Sequence, residues 1–380
     1  MEVYRIQEEG KSPLLFLKLK TNRKYTKNIL FYGHLDKQPA LAEEWDSSKD
    51  LHPYKAKLDE GRLYGRGTSQ GVASFVSVVL MLKAIRDKGA YHDSIYLFYE
   101  FDKQSGSRDN SFYLEKVKKS FEGPIDYVFS LDSTAPTTDN LFLTTSTKGN
   151  VQFDLKLTTL KLEMHSGLGG GLVADNFRIL NDLLNKFEDP LTGELREPRL
   201  YSEIPESYKR QLKSQFGLLQ REFDWYKKSK DGEKAKAAFE TYLANVWGPS
   251  LCNLASENIP ESSIAGNVLR TYTQFRFDLQ TCPSNEQNFA QLVQDFLGSQ
   301  ETLYNGKVDV AIQQQTKGWV KELKDFGRQY KYFFNGLGQY VFGKETCYLA
   351  SSDNIGFLHD VKQAYPKAEF FVSGFKNYSS

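Results

Sequence analysis

The sequence predicts an α/β fold, in which a domain with a mostly parallel sheet is interrupted by an inserted α+β domain. Strand-like apolar runs alternate with helical patterns in the first part of the chain. Such alternation is typical of βαβ units and of parallel sheets covered by helices. This alternation of strand-like and helical patterns stops after Lys148 and resumes from Trp319 onward. We therefore expect residues 1–147 and 319–380 to form one discontinuous domain and residues 148–318 to form the insert.

The elements of the first domain follow one another in order. The strand-like runs are LLFLKLK, NILFYGHLD, SIYLFYEFD and IDYVFSLD, and a helical pattern, VASFVSVVLMLKAIRDKG, separates the second run from the third. A helix (VKELKDFGRQYKYFFNGLGQYVF) and a strand (AEFFVSGF) complete the domain near the end of the sequence. These runs are rich in β-branched and aromatic residues, as buried strands are.

The insert is predicted from strands that alternate between apolar and polar residues. The segments VQFDLKLTTL, YTQFRFDLQ and KVDVAIQQQ have this pattern, which is typical of a half-exposed antiparallel sheet. Phe177, Leu180, Leu184 and Phe187 share one stripe of a helix. The charged stretch 207–243 is interpreted as a solvated helical hairpin.

Composition narrows the class of protein. The chain has 380 residues, of which 40% are hydrophobic and 26% charged, and these values predict a folded globular protein of two domains. Its net charge of +1 excludes a large basic surface for nucleic acid. The three cysteines form no CxxC pair, so we expect an intracellular, reducing compartment, cytoplasmic or organellar. We find neither a signal peptide nor an 18-residue apolar span.

Polar side chains follow several predicted strands. His34 and Asp36 follow one strand, residues 102–104 a second and Asp132 a third. Ligands of open α/β sheets bind at the carboxyl ends of the strands. We therefore expect these residues to lie together.

Seven segments occur in one order: ILFYGHLDKQPA, GRLYGRGTSQG, FYEFDKQSGS, DYVFSLDS, EMHSGLGGG, IAGNVLRTYT and YPKAEFFVSG. Together they resemble the M20 family of metallopeptidases, in its carnosinase-like dipeptidase branch. The resemblance implies a zinc-peptidase-like catalytic domain that holds two metal ions, and a lid domain that also carries the dimer contact.

The resemblance identifies some site residues that are kept. His34 matches a metal ligand, and Asp36 matches the carboxylate that orients its ring. Asp132 matches a further ligand. The family's last ligand is a histidine that this sequence, which ends at Ser380, does not reach. An early natural end and a trimmed sequence both remain open explanations.

Other positions of the motif carry different chemistry. Gln70 stands at the bridging aspartate, Lys103 at the general base and Gln104 at a ligand glutamate. A neutral amide bridges two cations poorly, and a charged lysine cannot accept a proton. Asp102 lies nearby, but strand alternation argues against its taking the place of Lys103.

The lid motif is well matched. His165 corresponds to a histidine that reaches a neighbouring subunit's active site and polarises the scissile carbonyl, and Asn267 to an amide that contacts substrate. The glycines after His165 have an equally good structural explanation, because they permit a tight turn.

The residues that would hold a substrate carboxylate are not matched. Gln280 replaces the arginine that clamps it, and Arg276 lies on the same face over about 10 Å away by strand rise. Asp353 falls in the family's glycine-rich carboxylate-binding turn, where it would repel an anion.

These replacements favour a catalytically inactive pseudopeptidase, a structural or regulatory subunit that pairs through its lid with itself or a relative, or joins a larger assembly. On this interpretation no cofactor is expected. The alternative is an active hydrolase of dipeptides or acylated amino acids with an altered site for two zinc or manganese ions. A third hypothesis is metal-free binding of an amino-acid-like ligand in the cleft.

Overall fold

The structure is a computed structural model. It describes residues 1–21, 26–69, 71–219, 236–285, 287–300, 306–321, 323–351 and 354–375.

The strands are β1 (Glu2–Ile6), β2 (Leu14–Leu19), β3 (Asn28–His34), β4 (Lys57–Asp59), β5 (Arg62–Tyr64), β6 (Ser94–Glu100), β7 (Tyr127–Thr134), β8 (Phe142–Thr147), β9 (Gly149–Thr158), β10 (Met164–His165), β11 (Ser250–Glu257), β12 (Val268–Leu269), β13 (Tyr272–Thr281), β14 (Lys307–Thr316), β15 (Trp319–Val320), β16 (Cys347–Ser351) and β17 (Glu369–Phe375). The helices are α1 (Val72–Asp87), α2 (Asn110–Val117), α3 (Ser166–Gly169), α4 (Asn176–Phe187), α5 (Glu206–Leu219), α6 (Lys236–Val246), α7 (Phe289–Gly298), α8 (Arg328–Phe342) and α9 (Gly356–Ala364).

The chain divides into two compact units. Unit 1 contains residues 1–146, 206–232 and 321–380, and unit 2 contains 147–205 and 233–320. The domain boundaries expected from the sequence stay a prediction, and α5 belongs here to unit 1 and not to the insert.

Unit 1 is built on a mixed sheet whose centre is parallel. Its strands follow the order β1, β2, β6, β3, β7, β17, β8, with β16 beside β8. The pairs β3–β6, β3–β7 and β7–β17 are parallel. The predicted α/β class is therefore confirmed.

Burial on both faces explains why the central strands are continuously apolar. Every residue of β6 is buried. On one face Leu97 and Tyr99 pack with Val78 of α1. On the other face Tyr32 stacks on Phe357 of α9 with ring centroids 4.0 Å apart. Helices on both sides of the sheet leave its carboxyl edge as the place for polar residues.

Unit 2 is a four-stranded antiparallel sheet with the order β11, β13, β9, β14. Its apolar face packs against α4 and α7, and Phe153, Phe277 and Leu183 are almost fully buried in this core. The other face carries the polar residues of each strand, as the alternating sequence predicts.

The predicted solvated hairpin is wrong for α5. Tyr208 and Leu212, four residues apart, are buried in unit 1. The Tyr208 hydroxyl donates to Ser146 Oγ at 2.8 Å. The buried face of α5 therefore belongs to the core of unit 1, and residues 220–235 of the stretch lie outside the described residues.

None of the helices in the described part of the chain has both the length and the apolar character that a bilayer crossing requires.

Candidate active site

His34 is the centre of the polar cluster at the carboxyl edge of unit 1. It ends β3 and is fully buried. Its Nδ1 lies 3.1 Å from Asp36 Oδ1, and its Nε2 lies 3.2 Å from Asp132 Oδ1. The parallel register explains the second contact. Tyr32 pairs with Ser130, and His34 and Asp132 each lie two residues further along their strands. The strand ends thus bring the three residues together, as expected.

The two carboxylates control the charge of His34. Burial lowers its pKa, but the close carboxylates of Asp132 and Asp36 outweigh burial and raise the pKa to about 9. The ring is therefore a cation at neutral pH. For Asp36, burial alone would raise the pKa. The hydrogen bonds from His34 and from the backbone N–H of Gln104 outweigh burial, so the pKa of Asp36 is lowered.

Lys103 approaches the same cluster from the turn after β6. Its Nζ lies 3.6 Å from Asp132 Oδ2, and only 18% of its side chain is exposed. Asp132 is 8% exposed. One buried carboxylate thus lies between an imidazolium and an ammonium group.

Gln104 lies beside Asp36. Its backbone N–H donates to Asp36 Oδ2 at 2.7 Å, and its side-chain Oε1 accepts from Gln38 Nε2 at 2.5 Å. Gln70 lies outside the described residues.

Asp102, the alternative base, is held elsewhere. Its carboxylate accepts from the backbone N–H of Arg108 at 3.1 Å and lies 3.3 Å from the Arg108 guanidinium. The side chain is 4% exposed. It is fixed as the anchor of the turn that follows β6.

Sequence reasoning missed Glu100, the last residue of β6. It is 3% exposed and pairs in register with His34. Its Oε1 accepts from Tyr32, from Ser107 Oγ at 2.9 Å and from Asn110 Nδ2 at 2.8 Å. Burial raises its pKa to about 7 despite these bonds. The signal was present, because a single carboxylate ends the apolar run SIYLFYE.

Unit 2 brings His165 and Asn267 together. Strands β10 and β12 pair through His165 and Val268, and Ser166 N donates to Asn267 O at 2.8 Å. His165 is exposed, and its Nδ1 accepts from the backbone N–H of Gly167 at 3.1 Å. The following Gly169 has a packing role, because a Cβ there would lie 2.5 Å from Leu269 Cδ1.

Gln280 is not part of that pair. It lies at the far end of β13, roughly 26 Å by strand rise from Tyr272, the strand's first residue. Its Nε2 donates to Asp278. Arg276 is bound by Asp154 through two nitrogens, at 2.7 and 2.9 Å. Asp353 lies outside the described residues.

The comparison with known families decides the classification. A sequence profile described as Peptidase family M20/M25/M40 matches residues 30–326. The chain belongs to this family.

Curated M20 relatives are dipeptidases. The chain is 26% identical over 232 residues to the Beta-Ala-His dipeptidase of Rattus norvegicus, a match that covers 59% of this chain and 45% of the relative. It is 26% identical over 197 residues to a Cys-Gly metallodipeptidase of Saccharomyces cerevisiae, covering 47% and 40%. The matched part thus spans less than half the length of these relatives.

Solved structures share the M20 fold. The di-peptidase Dug1p of Saccharomyces cerevisiae superimposes with a TM-score of 0.80 at 19% identity, covering 98% of this chain and 80% of that one. Human carnosine dipeptidase 1 gives 0.74 at 19% identity, covering 95% and 76%. The predicted resemblance and fold are confirmed.

The prediction that no cofactor is expected is wrong. The M20 profile and a relative named as a metallodipeptidase imply a divalent metal. The expectation rested on the replaced ligand positions and on the judgement that His34 and Asp132 alone are too few to hold two metal ions.

His34 and Asp132 supply the donors that such a metal would contact. Among the described residues, His34 Nε2 and Asp132 Oδ2 are buried without a well-formed hydrogen bond, and a metal could bind them once the His34 ring gives up its Nε2 proton. Among the residues that the structure describes, no group of three His, Cys, Asp or Glu side chains could hold an ion. The described donors therefore fit half of a one-ion site and do not fit a two-ion centre.

Proposed function

We propose that this M20 protein has lost peptide hydrolysis and acts as a structural or regulatory subunit. The observation that carries the proposal is the position of Lys103, with Nζ 3.6 Å from Asp132 Oδ2. The matching position in the family holds the carboxylate that serves as general base.

The charge of Lys103 is what opposes catalysis. A general base must accept a proton from the attacking water, and an ammonium group has no lone pair with which to do so. The same ammonium also neutralises Asp132. Asp102 does not offer a substitute, because Arg108 binds its carboxylate.

The residues that would hold a metal are His34 and Asp132. A bound divalent ion supplies Lewis acidity and lowers the pKa of a water molecule. Asp36 would fix the orientation of the His34 ring. The Lys103 ammonium group would remain close to Asp132 and would repel the ion.

A specific observation also favours the second candidate, an active hydrolase with an altered site. Among the described residues, the cluster atoms without a hydrogen-bond partner include His34 Nε2 and Asp132 Oδ2, which are of donor types that a divalent ion takes. The curated relatives are themselves dipeptidases.

Turnover distinguishes the candidates. The purified protein is supplied with zinc or manganese and assayed on Cys-Gly and β-Ala-His, with an active M20 dipeptidase as reference. We expect no hydrolysis above the buffer rate. Metal-dependent hydrolysis that a chelator abolishes would establish the second candidate.

We also infer pairing through the lid, with a second copy or a relative. Strand β11 begins the sheet order of unit 2, and its residues from Asn253 to Glu257 are exposed. An exposed edge strand offers backbone groups to another strand.

The three cysteines, all free thiols, support the inferred reducing compartment.

Light scattering after size exclusion tests the pairing. The register of β11 and β13 shifts between Asn253 and Ala255, so proline at the intervening Leu254 should spare the sheet but block pairing at the edge. We expect a dimer that L254P dissociates and L254A preserves. A monomer at every concentration, without a partner in pull-downs, would contradict the inference.

A further inference from the structure

Unit 1 contains a cavity of about 650 Å³ beside the polar cluster. Its volume lies within the range of roughly 300–1,000 Å³ that is usual for small-molecule sites. His34 and Gln104 form part of its wall, and the loop between β3 and α1 forms the rest. Most of the wall is therefore separate from the cluster described above.

Basic side chains dominate the wall on the loop side. They are Lys37, Lys49, Arg62 and Arg66.

The acidic residues of the wall are Glu44, Asp46 and Asp59. Lys49 pairs with Asp46 at 3.1 Å, and Lys57 lies 3.6 Å from Asp59. Four basic side chains against three acidic ones leave the wall with a formal charge of +1, and Lys57, which is outside the wall, offsets Asp59.

Arg66 is the best-positioned donor. Its guanidinium lies 5.6 Å from the Trp45 ring, and its Nη2 donates to Ala40 O at 3.3 Å. Trp45 Nε1 donates to the same carbonyl at 3.0 Å, which fixes the ring beneath the guanidinium. The planar donor group is thus held in place before any ligand binds.

Two buried polar atoms of this wall have no hydrogen-bond partner among the described residues. They are Arg66 Nε and Ser69 Oγ. Buried donors are normally satisfied, so both atoms have unused capacity for an acceptor in the cavity.

A glycine lets a second cation reach the cavity. The stem of Lys37 crosses Gly67, where a Cβ would lie 2.1 Å from Lys37 Cδ, and Gly67 has a φ of +84°. Any side chain at this position would displace Lys37. The GRG segment therefore shapes the cavity wall as well as the turn.

We propose that this cavity binds a small oxyanion, a carboxylate or a phosphate, through Arg66 and Ser69. Both anions offer several oxygen acceptors to a guanidinium and a hydroxyl. The inference goes beyond the proposed function, because it concerns binding by the loop and holds whether or not the protein hydrolyses peptides.

Titration calorimetry at constant ionic strength tests the site. The probes are inorganic phosphate, Gly-Gly, and Gly-Gly amide, which lacks the carboxylate. We expect phosphate or Gly-Gly to bind, and the amide to show no heat. Binding of phosphate alone or of Gly-Gly alone identifies the source of the anion. No heat from either anion, or equal binding of the amide, would overturn the proposal.

Variants assign the binding to the cavity. R66M should weaken the anion by about tenfold or more, as expected for loss of a charge-assisted hydrogen bond, and S69A by a smaller factor. R66K, which keeps the charge but loses Nε, should be intermediate. R5M removes the same charge from β1 outside the cavity and should bind as the wild type does. Equal weakening by R66M and R5M would contradict the assignment.

Discussion

Asp132 in unit 1 and Asp154 in unit 2 are equally buried carboxylates, 8% and 7% exposed, but their partners differ. Asp132 lies between His34 and Lys103, which are themselves largely buried. Asp154 binds Arg276, whose side chain is 42% exposed. Loss of Asp132 would strand two cations away from water, whereas Arg276 could turn to solvent. The charge of Asp132 is therefore a requirement of unit 1, and that of Asp154 only supports the sheet.

The largest expected effect comes from removing that charge. D132N should lower the free energy of unfolding by about 3 kcal/mol, because two buried cations lose their shared anion. Urea unfolding followed by fluorescence measures the change. The matched D154N should cost only about 1 kcal/mol. Equal losses of unfolding free energy for the two variants would show that unit 1 depends on the charge of Asp132 no more than unit 2 depends on that of Asp154.

Glu100 should make unit 1 sensitive to pH. Its pKa is raised to about 7 from 4.5, so the folded state holds a proton that the unfolded state releases between these values. Stability should fall as pH rises from about 4.5 to 7 by about 2.5 kcal/mol, and E100Q should lack this slope. Thermal unfolding across that range gives the measurement, with E115Q, at an exposed glutamate of α2, as the control.

Lys148 should give unit 2 the opposite dependence. It is 2% exposed, and burial lowers its pKa from 10.5 to about 8. Between these values the unfolded state holds the additional proton, so stability should rise with pH by about 2.5 kcal/mol. K148M should abolish the rise. If the free energy of unfolding of K148M, measured by denaturant titration, still rose with pH as in the wild type, the rise could not be assigned to Lys148.

His165 should have the smallest effect on stability. It is exposed, and its ring accepts one bond, from the backbone N–H of Gly167. H165A should change the free energy of unfolding by less than about 0.5 kcal/mol. A loss above about 1 kcal/mol would indicate that His165 supports the fold.

The two units also differ in what the sequence could predict. Strand ends and parallel register bring His34 to Asp132, so their proximity followed from pattern alone. The contact of Lys103 with Asp132 depends on a side-chain conformation after a turn, which periodicity does not encode. The bidentate binding of Arg276 by Asp154 depends on a cross-strand register that only the paired sheet reveals.

Helix α5 shows a further limit. Its high charge favoured the interpretation as a solvated hairpin, yet Tyr208 and Leu212 are buried four residues apart. Two apolar residues on one face are enough to dock a helix, but they are too few to dominate a charged segment when composition is averaged.

We propose that the cation at position 103 prevents the activation of water. The most direct test compares zinc- or manganese-dependent hydrolysis of Cys-Gly by the wild-type chain and by H34A. We expect both rates to equal the uncatalysed rate. A wild-type rate about a hundredfold or more above that of H34A, which is the smallest usual contribution of a general base, would contradict it.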